Sequence, residues 1–399
     1  MPFPNPGFSR WLLKIRREFH MHPELSFQEE KTTEAIVKIL KELKLPVTTF
    51  EDLPGAEALI QGARNGPTVG LRADIDALPI QEQNNVSYRS RNEGVMHACG
   101  HDGHTAMVLG VAKRIQEEGL AKVFTGNVKL LFQPAEERGA GARAMIERGV
   151  LENPHVDALF AGHVTPDLAA GEIGIFKGVG FASADRFEVL VTGKGAHGAR
   201  PEEGIDPIVA GAQLVGALQT IISRNVKPSE AGVITVGKFI AGSAANIIPE
   251  SARLEGTLRT LSESIRRYLI RRIEEIVSGI EKGFRVKCRL QFHGGTPLLS
   301  NDARIVNLLF KAARRVVGEE KIRWMPPSMG SEDFSFFANE RPSALIRFGC
   351  AKGKGKTAYG LHNPRFDMDE SVLEIGCTVF LEAIRLSLEE GGLESALVL

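Results

Sequence analysis

Cysteine is scarce in this chain: four in 399 residues, at Cys99, Cys288, Cys350 and Cys377, with no CxxC pair among them. That spacing offers no disulfide framework, so a reduced, intracellular protein is expected, with the three later cysteines at buried apolar positions. Long apolar runs are missing too. None approaches the roughly 18 residues of a membrane span, and residues 1–10 lack the basic-then-apolar order of a signal segment. A cytoplasmic location with no membrane partner is the expectation. An excess of either charge is also lacking, because Lys+Arg and Asp+Glu number 49 each and the formal net charge is +0. A nucleic-acid partner therefore has no basic footprint to meet. What remains is ordinary core material, 43% hydrophobic and 25% charged, in a chain long enough for two domains.

Against this plain background one stretch stands out, Met-His-Ala-Cys-Gly-His-Asp-Gly-His at residues 96–104. The chain has only 10 histidines, yet three of them crowd here with a thiol and a carboxylate. Thiolate and imidazole are the donors that zinc and related divalent ions select, and the glycines let the backbone turn tightly. The stretch reads as the floor of a metal site.

Other polar residues fall where strands end. Residues 68–73 form a strand pattern running into Asp74 and Asp76, where open α/β sheets place their binding crevices; as an isolated pair they would read better as simple turn residues. The strand 128–132 delivers Glu136 and Glu137, whose side chains point opposite ways in extended backbone. One can bind a metal while the other faces substrate. The strand 158–162 ends at His163, and His362 precedes Asn363-Pro364 in a turn. Helical periodicity marks residues 11–22 and 105–117, and Ser26 opens a Ser-Phe-Gln-Glu capping-box pattern before a helix carrying Ala35, Ile36, Ile39, Leu40 and Leu43. Strands alternating with helices predict a largely parallel sheet in an α/β fold.

Between about 182 and 293 the pattern changes. Strand 186–192, helix 206–223, strands 232–240 and 252–260, helix 262–282 and strand 285–292 give the order β-α-β-β-α-β of a ferredoxin-like unit. It reads as an insertion dividing a catalytic domain of residues 1–181 and 294–399. His197 lies there in a glycine-rich loop, a setting too flexible for a packed core histidine. Farther on, residues 349–357 end in Gly-Lys-Thr and invite a phosphate-loop reading. The spacing fails, because Cys350 stands where the first glycine belongs, and turn-forming residues follow in place of a helix. A solvated loop is expected instead.

Taken together, FHMHPELSFQEEKT, GLRADIDALP, MHACGHDGHTAM, LLFQPAEE, AGHV, GKGAHGARP, ANIIPESARLEGTLRT, MGSEDF and LHNP resemble, in family order, the M20 metallopeptidase and amidohydrolase family. The resemblance is to its N-acyl-amino-acid hydrolases, which include hippurate and auxin-conjugate hydrolases. It implies a zinc-peptidase-like catalytic domain with an inserted dimerisation or lid domain. It implies two divalent ions, zinc foremost with manganese or cobalt as alternatives, held by Cys99, His101, Glu137, His163 and His362. The general base falls on Glu136, the oxyanion would be met by the metals and His197 as the second catalytic residue, and substrate-binding residues fall on His197, Asn246 and Arg259. His104 and Asp102 are alternates to His101. Asp74 and Asp76 stand where other branches carry a His-x-Asp motif, and are expected to orient the ligands. The implied reaction is hydrolysis of an N-acyl-L-amino acid by a homodimer, with lid closure gating turnover and His197 supplied by either subunit. A carboxypeptidase or dipeptidase shares every catalytic residue. A silent binding protein on this fold would have lost Glu136 or a ligand, and none is missing.

Overall fold

A computed structural model describes residues 6–352, 359–389 and 392–393. Of the loop expected over 349–357, residues 349–351 are instead the end of a buried strand, and 353–357 with the Gly-Lys-Thr run lie outside the described residues, as do residues 1–5. The chain forms two compact units: residues 1–180, 300–326 and 333–399 make one, and 181–299 with 327–332 make the other.

The first unit is built on an eight-stranded sheet. Its strands are β1 (Val47–Thr49), β2 (Ala56–Gln61), β3 (Arg64–Asp74), β4 (Thr125–Gln133), β5 (Ala158–Ala169), β6 (Ile173–Phe176), β7 (Ile322–Met325) and β8 (Ser343–Ala351). They lie in the order β1-β2-β4-β3-β5-β8-β6-β7. The four central strands β4, β3, β5 and β8 are mutually parallel. Their buried runs are near-continuous, as expected of strands covered on both faces. Parallel pairing brings their carboxyl ends to one edge. Asp74 pairs with Gln133, and Arg72 with Ala161, so Asp74 leaves the sheet level with His163. The short strands β6 and β7 give no sequence signal of their own, because four residues are too few to establish a period.

The helix expected over 105–117 runs His101–Glu117. It begins four residues early because Gly100, at φ 87, takes the left-handed N-cap position. A Cβ there would run into the Val164 side chain. The second half of the metal stretch is thus a helical turn, buried almost all round and packed against helices Pro6–Met21 and Ser371–Leu388. The capping box at Ser26 is corrected. Helix Glu30–Glu42 starts at an N-cap, Glu29, that makes no side-chain capping bond, and both side chains are engaged elsewhere.

The second unit is an antiparallel sheet in the order Gly232–Ala241, Ser251–Thr260, Ser183–Thr192, Lys287–Thr296. Helices Pro207–Thr220 and Glu263–Phe284 cover one face, burying Phe187, Val189, Val191, Leu254 and Leu258. This is the ferredoxin-like arrangement. Asp206 and Ser262 start the helices by accepting amide hydrogen bonds at their N-caps.

Packing beside the site is tight at Gly162, where an added Cβ would collide with the Phe348 ring and come within 2.7 Å of Phe380. Neither ring can flex aside as a longer chain would. Gly162→Ala is therefore expected to destabilise the protein by about 1–3 kcal/mol through overpacking, read as a lowered denaturation midpoint in urea. An unchanged midpoint would contradict this packing.

Candidate metal centre

The polar residues gathered at the sheet's carboxyl edge converge. Ligand atoms of Cys99, His101 and His163 lie within 4.8 Å of one another, and so do those of Cys99, Glu137 and His362. The two trios share Cys99 and outline two neighbouring positions for a cation. A third group of the same spacing joins His101, Glu136 and Glu137.

Each imidazole is aimed by what its other nitrogen does. His101 Nδ1 donates to the Asp76 carbonyl at 2.9 Å and lies 3.2 Å from Asp76 Oδ1. That leaves Nε2 buried without a hydrogen bond, 3.7 Å from Asp74 Oδ2 and 4.0 Å from Glu137 Oε1. His163 Nδ1 donates to the Val164 carbonyl at 2.7 Å, turning Nε2 to within 3.4 Å of Cys99 Sγ. His362, at φ 64 in its turn, is held by its amide on the Ala98 carbonyl and places Nε2 3.2 Å from Glu137 Oε1. His104 differs. Its Nδ1 donates to Asp74 at 2.5 Å and its Nε2 accepts the Val164 amide at 2.9 Å, so no lone pair is left for a metal. Asp102 is turned elsewhere through Oδ2, which meets Arg16 at 2.8 Å and His20 at 2.7 Å.

The donor set suits a cation. An orphaned Nε2 on His101 is costly unless something fills the gap. Electrostatics agree. Burial and the Glu137 carboxylate push the Cys99 thiol up. Burial works against charge on His101, but Asp74, Cys99 and Asp76 outweigh it and raise the imidazole. Burial and then Arg347 hold His163 well below its ordinary value, so that ring is neutral with a free lone pair. The hydrogen bond to Glu137 raises His362. These tensions would be relieved by a divalent ion, to which Cys99 would offer a thiolate and the histidines neutral imidazoles, with protons released on binding. Thiolate, imidazole and carboxylate together match zinc and its neighbours.

The supporting residues were mostly silent in sequence. Asp76 accepts from Ser26 Oγ at 2.7 Å and from the Glu137 amide at 3.0 Å. Asp74 is held low against burial by His101, His104 and Arg72. Arg72 also reaches Gln133 at 2.7 Å and Asp333 at 3.0 Å. The Asp333 amide lies 3.4 Å from Glu136 Oε1. Arg347 pairs in register with His163 and sets a guanidinium nitrogen 2.8 Å from its Nδ1. The only hint of Arg347 was a charge inside an apolar strand.

The remaining three candidates belong to the second unit. His197 is exposed, pairs with Ile247, and accepts the Ala199 amide at Nδ1. The Gly198 amide donates to the Asn246 carbonyl at 2.8 Å, so His197 and Asn246 line one concavity of about 940 Å³. Arg259 does not line it. Its guanidinium donates to the Met329 carbonyl at 2.9 Å.

A model of peptidase family M20/M25/M40 matches residues 70–386. An N-acetyl-L-cysteine deacetylase of Bacillus subtilis is 41% identical over 362 residues, covering 91% of this chain and 84% of that protein. Thermostable carboxypeptidase 2 of Saccharolobus solfataricus is 36% identical over 382 residues, 94% of this chain and 95% of that one. The crystal structure of the Bacillus subtilis YXEP protein, described as a dinuclear metal binding peptidase from the M20 family, superposes with a TM-score of 0.84. It is 35% identical across 96% of this chain and 99% of its own. With its family model spanning most of the chain and its buried donors gathered at one sheet edge, this protein belongs to peptidase family M20/M25/M40.

Proposed function

We propose that the protein is a metal-dependent amidohydrolase that cleaves N-acyl-L-amino acids into a carboxylate and a free amino acid. One observation carries the reading: Glu136 stands beside Glu137 among the converging donors, the ligand atoms of both lying within 4.8 Å of a ring nitrogen of His101. Cys99, His101, Glu137, His163 and His362 would hold two divalent ions, with zinc favoured by the thiolate. Bound there, such ions supply Lewis acidity that brings the pKa of a water from about 15.7 towards about 7. Glu136 accepts the proton that water gives up and holds it on its carboxyl. The hydroxide oxygen bonds to the acyl carbon, and Glu136 returns the proton to the amide nitrogen as the C–N bond breaks, leaving a carboxylate and a free amine. A general base of this kind contributes about 10²–10⁴-fold. The four cysteines, all unpaired, fit a reducing, cytoplasmic compartment. No described helix is long and apolar enough to cross a membrane.

His197, Asn246 and Arg259 are assigned to the substrate. Arg259 offers a planar fork suited to the amino acid's carboxylate, which lysine would meet only as a point charge. His197 is assigned to the developing oxyanion. A homodimer through the second unit is supported by its exposed Ile208, Val209, Val233, Phe239, Ile240 and Ile247, several of them on edge strand Gly232–Ala241. Dimerisation opens the way for His197 to serve the partner's site.

With zinc, manganese or cobalt added, N-acetyl- and N-benzoyl-amino acids should turn over faster than dipeptides. The reverse order would favour the carboxypeptidase reading. Glu136→Gln should keep its metal and lose at least about 10²-fold in kcat, whereas Glu137→Gln should lose at least one ion. Retained activity and metal in both variants would undo these roles. Arg259→Lys should erode discrimination between an N-acyl amino acid and its C-terminal amide. Mixing His197→Ala with Glu136→Gln subunits should restore turnover; failure to do so, with exchange confirmed, confines His197 to its own chain.

A further inference from the structure

The turn that carries Glu136 is an awkward piece of backbone. Ala135 has φ 52, a left-handed conformation that a residue with a Cβ holds only where its surroundings over-determine it. Its carbonyl accepts from Ala140 at 3.4 Å and Gly141 at 3.3 Å, and the Glu136 carbonyl accepts from Gly139 at 2.7 Å. Those contacts fix the outgoing side. The amides are fixed by two buried carboxyl groups from elsewhere in the chain. Asp76 Oδ2 accepts the Glu137 amide at 3.0 Å. Glu29 Oε1 accepts the Ala135 amide at 2.8 Å.

Glu29 is an unusual residue for that task. It is fully buried, and its second oxygen, Oε2, makes no hydrogen bond. Its backbone is pinned by helix Glu30–Glu42, whose Thr33 amide and hydroxyl both donate to the Glu29 carbonyl, at 2.9 and 2.6 Å. An acid at an N-cap would ordinarily bond its own helix's amides; this one forgoes them. The Ser-x-x-Glu spacing thus serves neither residue as a cap. Ser26 goes to Asp76 and Glu29 to Ala135, so one short segment braces the turn through both carboxyl groups.

We propose that Glu29 is a positioning residue for the Glu136 base: its carboxyl and that of Asp76 clamp the amides on either side of Glu136, fixing where the catalytic side chain projects. The assignment rests on the proposed role of Glu136. Burial, followed by the nearby Asp76 charge, pushes Glu29 up to about 8. At neutral pH it carries a proton, which makes glutamine its close isostere: the amide oxygen can accept from Ala135 while the NH2 replaces the acid hydroxyl. A general base must be within hydrogen-bond reach of its proton, and a displacement of about 1 Å can cost about 10²-fold. Loss of the clamp therefore falls on kcat and leaves the ligands in place.

The test uses metal-loaded full-length Glu29→Ala, Glu29→Gln and Glu29→Asp protein. For each, kcat and KM are measured on an N-acyl amino acid that the wild type hydrolyses, along with metal content and amide hydrogen exchange across 133–138. Glu29→Ala should lose about 10- to 100-fold in kcat with KM and bound metal unchanged, and exchange at 133–138 should quicken. Glu29→Gln should recover most of that loss. Undiminished kcat in Glu29→Ala, a loss that merely tracks lost metal, or a Glu29→Gln variant as impaired as Glu29→Ala would each overturn the proposal. If Glu29→Ala does not fold, Glu29→Asp replaces it: one methylene shorter, it should lose kcat while folded, and full activity would overturn the proposal. If the wild type hydrolyses no N-acyl amino acid, the functional reading fails by itself. Hydrogen exchange then still decides the clamp: quickening in Glu29→Ala supports it, and an unchanged rate refutes it.

Discussion

Taking a thiol, two imidazoles and a glutamate oxygen out of water and pointing them at one small gap is the constraint that the rest of the catalytic unit satisfies. Buried polar groups cost stability unless they are partnered, and here the partners are arranged one layer back. Asp76 serves the ring of His101, the hydroxyl of Ser26 and the amide of Glu137 together. Asp74 serves His104 and Arg72. His163 is held from behind by the Val164 carbonyl, which also accepts from Arg347 at 3.3 Å. For His101 and His163 the partnership occupies the ring nitrogen that faces away from the gap and leaves Nε2 turned towards it. Partners of this kind fix ligand orientation and tune affinity.

The fold explains why such a layer can exist. Parallel strands β3, β4, β5 and β8 end at one edge, so carboxylates and a histidine from separate segments arrive side by side without long loops. Gly100 lets helix His101–Glu117 start where its first residue is already a donor. The second unit is built on different terms, with one sheet face covered by helices and the other polar, carrying Arg186, Glu188 and Arg253. Its apolar exposure is concentrated along one edge strand and the start of one helix.

Much of this was legible in the chain because metal chemistry needs rare residue types. Cys99, His101 and His163 stand out of a sequence poor in cysteine and histidine, and the strand ending at Gln133 delivers Glu136 and Glu137 just past its end, in a turn rather than in the extended backbone expected. The braces were not legible, for a physical reason. Arg72, Asp333 and Arg347 act through contacts set by strand register and by residues far away in sequence, which no local pattern records. Ser26 and Glu29 were misleading, since a capping box and a pair of long-range braces share the same three-residue spacing. The start of the metal helix was missed because glycine and histidine are weak helix formers, overridden here by burial on all sides. Asp74 and Asp76 were placed correctly at a strand end, but only the hydrogen bonds separate an orienting carboxylate from a ligand.

The account turns on the claim that these donors hold two neighbouring cations in common. Anomalous diffraction from crystals of the zinc-loaded protein tests it directly. The prediction is two peaks per chain, both within bonding distance of Cys99 or Glu137, one beside Nε2 of His101 or His163 and the other beside Nε2 of His362. A single peak, or peaks bound by His104 or Asp102 in place of His101, would contradict it.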